Sequence, residues 1–153
     1  MNIIKKFLLS VATITALITA APSFADASTD NVVGAGGYDL TTYFSQEKPE
    51  RGNGHHVSEL KGVTYLFATE ENKKTFEANP EKYLPQYGGY CAYGVSVSKK
   101  FVADPEQYDI VDGKLYLNLD AKVRSIWLQN VSGRITDANK IWPVIVNTKA
   151  SEL

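Results

Sequence analysis

The chain holds a single cysteine, Cys91, and two histidines, the adjacent His55 and His56. One thiol cannot close an internal disulfide, so stability has to come from packing. There is no C-x-x-C, and thioredoxin-like exchange would have no resolving thiol within the chain. There is no H-x-x-x-H and no acidic cluster at metal-ligand spacing. A phosphate-binding loop, a dinucleotide fingerprint and a nucleophile elbow are also absent, so no catalytic arrangement is read and an enzyme is not expected. Beyond residue 25 the lysines are scattered, with Lys73-Lys74 and Lys99-Lys100 the only pairs, which speaks against a nucleic-acid partner.

The first residues read as an export signal. Lys5 and Lys6 form a positive n-region, and an apolar stretch follows from Phe7 to about Ala21, diluted by Ser10, Thr13, Thr15 and Thr19. Ser23-Phe24-Ala25 supplies the small-x-small pattern of a signal peptidase site, so residues 1–25 are expected to be removed. A membrane span needs about 20 predominantly apolar residues, and this run is shorter. No membrane association is expected after cleavage, and the destination is periplasmic or secreted. Asp26 to Leu153 then carries 14 basic and 17 acidic residues, a net charge of −3. That length suffices for one domain with a real core, to which nine tyrosines and two tryptophans supply much of the area.

Residues 26–35 read as a flexible lead-in. Leu40 to Phe44 suggests one helical turn capped by Asp39. HHVSELKGVTYLFA reads as a hairpin turning at Lys61-Gly62, followed by a Thr69-capped helix from Glu70 to Ala78 that stops at Asn79-Pro80. YDIVDGKLYLNL repeats the style, with Asp112-Gly113 between two alternating runs. Asp120 caps the next helix, AKVRSIWLQN, whose end is assigned to Gly133. A last helical stretch runs toward Trp142-Pro143, and a polar tail follows over 144–153, of which Asn147 to Leu153 is expected to fray. Two hairpin-plus-helix units make a small single-domain α+β fold over residues 36–143. No sequence repeat is strong enough to indicate an internal duplication.

Three groups of residues carry candidate chemistry. Cys91 by residue type is a small buried hydrophobe. Two features point further: Gly88-Gly89 allow close backbone approach, and a thiol in an oxidising compartment needs protection or a use. A thiolate suits Cu(I) or Zn(II), and a neutral imidazole from His55 or His56 could join it. As strand neighbours those two histidines face opposite sides, so only one could converge with Cys91. The alternative is an exposed loop-to-strand pair. The third group is the aromatic crowd around the cysteine. Tyr83, Tyr87, Tyr90 and Tyr93 are either core residues with hydroxyls at the rim or, with Gly88 and Gly89, a binding surface.

The segments GYDLTTYF, GVTYLFATEENKKTFEANPEKYLPQYGGYCAYGVS and VDGKLYLNL resemble the exported branch of the YHS-domain family from about Gly36 to Pro143. That family is related to the TRASH metal-sensing domains, and its thiol-bearing members are thought to bind heavy metals. The resemblance implies a small α+β fold and a link to metal, copper among the candidates. It also shows losses. Thiol-bearing members open with Asp-Pro-Val-Cys-Gly-Met and step from hairpin to helix with Phe-Cys-Ser-x-x-Cys. Here Thr42, Ala68 and Asn72 stand at the three cysteine positions. Alanine coordinates nothing and an amide is a weak, hard ligand, so that metal site is not carried over. Three functions remain open: an exported copper- or zinc-binding protein using Cys91 with His55 or His56; a metal-free module binding an unidentified protein partner through residues 83–93; and a thiol-dependent redox protein.

Overall fold

Two left-handed turns organise the chain. Lys61 and Gly62 adopt φ of 52° and 80°, and Asp112 and Gly113 adopt 50° and 71°. Such pairs match the twist of the flanking strands across a two-residue hairpin loop. They join β1 (Asn53–Leu60) to β2 (Val63–Phe67) and β3 (Asp104–Val111) to β4 (Lys114–Asn118), two separate antiparallel sheets. The computed structural model describes residues 33–45 and 48–153. The expected signal peptide, and the lead-in as far as residue 32, lie outside the described residues.

Capping places the helices that follow each hairpin. Thr69 accepts from Asn72 N at 3.1 Å to start α2 (Glu70–Ala78), and Asp120 accepts from Val123 N at 2.7 Å to start α5 (Ala121–Leu128). Asn79-Pro80 ends α2 and opens the single turn α3 (Pro80–Tyr83). The remaining helices are α1 (Thr42–Ser45), α4 (Ala92–Ser96) and α6 (Val131–Ile145). The result is the expected α+β fold.

The two halves share one backbone plan. The first hairpin pairs Asn53 with Phe67, slips at a bulge, and then pairs Val57 to Leu60 with Leu66 to Val63. The second pairs Asp104 with Asn118, slips at the same place, and pairs Tyr108 to Val111 with Leu117 to Lys114. Every position is displaced by 51 residues, and the displacement also maps the cap Thr69 onto Asp120. The loops before the hairpins correspond at 52. Ala35 and Gly36 are left-handed, as are Tyr87 and Gly88, and Gly37 and Gly89 follow at φ of 82° and 83°. Tyr38 then bridges Arg51 as Tyr90 bridges Val102, and Asp39 N donates to Glu50 O as Cys91 N does to Phe101 O. The chain is therefore an internal duplication in structure, against the sequence expectation. Identity survives mainly at Gly36-Gly37-Tyr38 against Gly88-Gly89-Tyr90, and at Gly62, Tyr65 and Leu66 against Gly113, Tyr116 and Leu117.

The halves do not fold around separate cores. Strand β4 alternates, sending Leu115 and Leu117 into the first cluster with Leu40, Tyr65, Phe67 and Phe76, while Tyr116 enters the second with Tyr87, Val95 and Trp127. Tyr43 Oη donates to Pro105 O at 2.9 Å, tying α1 to β3.

Three local expectations are corrected. Gly133 does not end a helix: Asn130 caps α6 and accepts from Gly133 N at 3.1 Å, so the glycine sits in the first turn. Helix α6 runs through Pro143 to Ile145. The tail is held rather than frayed, because Lys100 Nζ donates to Val146 O and Thr148 O at 2.8 and 2.6 Å and Leu153 packs on the second core. Likewise Val33 to Ala35 belong to the fold: Val33 bridges Thr64, and Ala35 is buried.

Because β4 serves both clusters, Leu117→Ala should lower the stability of the whole chain by about 2–5 kcal/mol. Urea unfolding followed by far-UV dichroism and tryptophan fluorescence should give one coincident transition, displaced as a unit.

Candidate functional site: a saturated carboxylate and its thiol counterpart

Thr42, Ala68 and Asn72, the positions that the resemblance sets against cysteines, all hydrogen-bond to Asp39. Asp39 is fully buried. Its Oδ1 accepts from Thr41 N and Thr41 Oγ1 at 3.0 and 2.7 Å, and its Oδ2 accepts from Ala68 N and Asn72 Nδ2 at 2.9 and 2.8 Å. Thr42 Oγ1 donates to Asp39 O at 2.7 Å and accepts from Glu50 N at 2.9 Å. A carboxylate offers about four lone-pair sites, and the protein's own donors take all four here. The donor set left over is a hydroxyl and an amide, both engaged. These residues do not fit a soft metal ion. The sequence marks Asp39 only as a helix cap; its pairing with Cys91 after the two Gly-Gly-Tyr runs is the signal that would have exposed it.

Cys91 is the structural counterpart of Asp39. It is fully buried. Its Sγ accepts from Gly94 N at 3.3 Å and lies 3.9 Å from Asn118 Oδ1, to which it donates. The backbone N–H groups of Leu119 and Tyr93 also point at the sulfur. These are the counterparts of Ala68 and Thr41, so the thiol sits in the nest that holds a carboxylate in the first half. Burial raises the thiol's pKa, and the backbone N–H groups oppose that rise.

Of the predicted metal ligands, His55 and His56 lie on β1 and Cys91 caps α4. His55 is exposed on β1, and half-buried His56 places Nδ1 3.3 Å from Glu70 Oε2. Cys91 lies in the other half, beside Asn118. Among the described residues no three His, Cys, Asp or Glu side chains gather where they could hold an ion.

The expected aromatic surface is for the most part interior. Tyr87 is buried and donates to Asn139 Oδ1 at 2.9 Å. Tyr90 packs on Trp142 with centroids 6.2 Å apart, and Arg134 lies 4.8 Å from the Tyr93 ring centre. Gly89 is buried, and Gly88 is exposed. What opens to solvent is a cleft of about 410 Å³ between the halves. The two left-handed loops meet there: Ala35 on one side, Tyr87 and Gly88 on the other, with Tyr65 and Trp142 as aromatic walls. The Lys61–Glu81 ion pair, 3.3 Å apart, stands among the lining groups.

The YHS domain family model, a family often linked to metal binding, matches residues 49–87. The match runs from just before β1 through α3 to Tyr87 and leaves the second half outside. No curated protein matches the chain, and no solved structure does.

Two outcomes follow. Asp39→Ala strands the buried donors of Ala68 and Asn72 and should cost about 3 kcal/mol or more, measured as a loss in urea midpoint. Burial also raises the pKa values of Cys91, Tyr65, Tyr87 and Tyr116. A folded pKa above the unfolded one gives stability that is complete below the unfolded value and lost as pH rises through the folded value. The Tm should therefore hold up to about pH 8.5 and fall above it, first through Cys91 and then the tyrosines. Cys91→Ser should remove the earliest part of that fall.

Proposed function

The chain is a YHS domain-containing protein, and from that premise we propose that it is a noncatalytic binding module that keeps the fold without the family's metal. The observation that carries this reading is the Asp39 carboxylate. Protein donors occupy all its acceptor sites, at the point where metal-ligating thiols would meet. The hydrogen-bonded plug joins the loop before α1, the end of β2 and the start of α2, which is the closure a bound ion would otherwise supply. The binding place is the cleft between the halves, with Tyr87 and Gly88 from the predicted surface on its wall. Export belongs to the same proposal: Lys5, Lys6, the apolar run and Ser23-Phe24-Ala25 support cleavage after Ala25 and a periplasmic or secreted destination. Among the described residues no helix is long and apolar enough to cross a membrane.

A copper or zinc ion held by Cys91 with His55 or His56 is the second reading, and the family's link to metal is its support. One experiment separates the two. The reduced chain is titrated anaerobically with Cu(I) and Zn(II) against a competing chelator, beside Cys91→Ser and the triple variant Thr42→Cys, Ala68→Cys, Asn72→Cys. The native chain should bind neither ion more tightly than micromolar, and the triple variant should gain tight binding because a thiolate set is restored. Submicromolar binding by the native chain, lost in Cys91→Ser, would establish the second reading instead.

A further inference from the structure

We propose that Cys91 is an oxidative modification site at which the thiol is converted to a stable sulfinate. The argument rests on the duplication. In the first half the same nest holds an anion with two oxygens, the Asp39 carboxylate, gripped by Thr41 N and Ala68 N. In the second half Tyr93 N and Leu119 N keep those places, Gly94 N is added, and all three address a sulfur. Cysteine sulfinate carries a negative charge and two acceptor oxygens on a short stem, so its shape and charge follow those of aspartate.

A second observation points to the same ligand chemistry. Asn118, fully buried, turns its Oδ1 to the thiol, and its Nδ2, on the same amide, has no hydrogen-bond partner among the described residues. In the first half the corresponding residue is the apolar Phe67, and the side-chain donor to Asp39 comes from Asn72, whose counterpart is Val123. The amide donor has thus changed position but is still present. An orphaned buried N–H costs stability that an acceptor at the sulfur would restore. Amide oxygen and nitrogen interchange by a half-turn about χ2, which turns Nδ2 toward an oxidised sulfur.

The reaction consumes two peroxide equivalents. Hydrogen peroxide is the oxidant: the first converts the thiol to a sulfenic acid, and the second converts that to the sulfinate. The S–H bond breaks and two S–O bonds form; two O–O bonds are cleaved, two waters leave and one proton is released. Sulfur gives up four electrons. Since Cys91 is fully buried, each step waits on local opening around α4, so the conversion is slow and, once closed, shielded from further oxidation.

The test exposes the folded full chain to millimolar hydrogen peroxide over hours, with Cys91→Ser as the control. Intact-mass and peptide analysis should show a gain of two oxygens on Cys91 and no third, with a Tm above that of the reduced chain. Cys91→Asp should fold and match or exceed the native Tm. Failure of Cys91 to react, progression to the sulfonate, a fall in Tm on oxidation, or an unfolded Cys91→Asp chain would each overturn the proposal.

Discussion

The first half of the molecule depends on one buried carboxylate. Three segments distant in sequence meet at Asp39: its own loop through Thr41, the end of the first hairpin through Ala68, and the first turn of α2 through Asn72. A buried ionised group without partners is expensive, and one with every acceptor site filled becomes a rigid joint. The joint fixes the angle between hairpin and helix, and that angle lets Phe67 and Phe76 stack with centroids 5.0 Å apart at the centre of the core. Here hydrogen bonds alone close the junction between the loop, the hairpin and the helix.

The second half shows the same plan under different chemistry. Tyr116 meets Trp127 at 5.5 Å and 36°, as Tyr65 meets Phe76 at 5.2 Å and 41°. Among the changes are Cys91 for Asp39, and Asn118 with Trp127 for Phe67 with Phe76. Both new core residues bring an N–H donor, and Asn118 Nδ2 and Trp127 Nε1 are without partners among the described residues. The first half is saturated where the second carries unmet donors and a buried thiol.

Much of the fold was legible because it is encoded locally. Lys61-Gly62, Asp112-Gly113, Thr69, Asp120 and Asn79-Pro80 each act through neighbours two to four residues away, and all appear where the sequence predicts them. Gly133 misled because a glycine can end one helix or sit in the first turn of the next, and only the Asn130 cap decides. The candidate site was less legible. Cys91 stands out by its rarity, but its burial beside Asn118 depends on contacts 27 residues away. Asp39 looked like an ordinary cap because its partners Ala68 and Asn72 lie about thirty positions on, and one donates only through its backbone. The duplication stayed hidden because a fold of this kind is specified by turns, caps and alternation, which many residue types satisfy. A handful of identities spread over fifty positions are enough for the backbone and too few for the eye.

Duplication also accounts for where the cleft lies. Each half presents one left-handed loop, Gly34–Gly37 or Gln86–Gly89, beside its hairpin. A single half would leave such a loop on open surface, with its strained non-glycine residue, Ala35 or Tyr87, held at φ of 48° or 56° for no gain. Joined, the two loops face one another and enclose the cleft, with Trp142 of α6 closing the side that the first half lacks a long helix to cover. Strain of this kind persists only where the surroundings fix it, and here both copies retain it. The Asp39 junction sits within a half, whereas the cleft exists only between halves. Side chains at the junction can therefore change without altering the walls of the cleft.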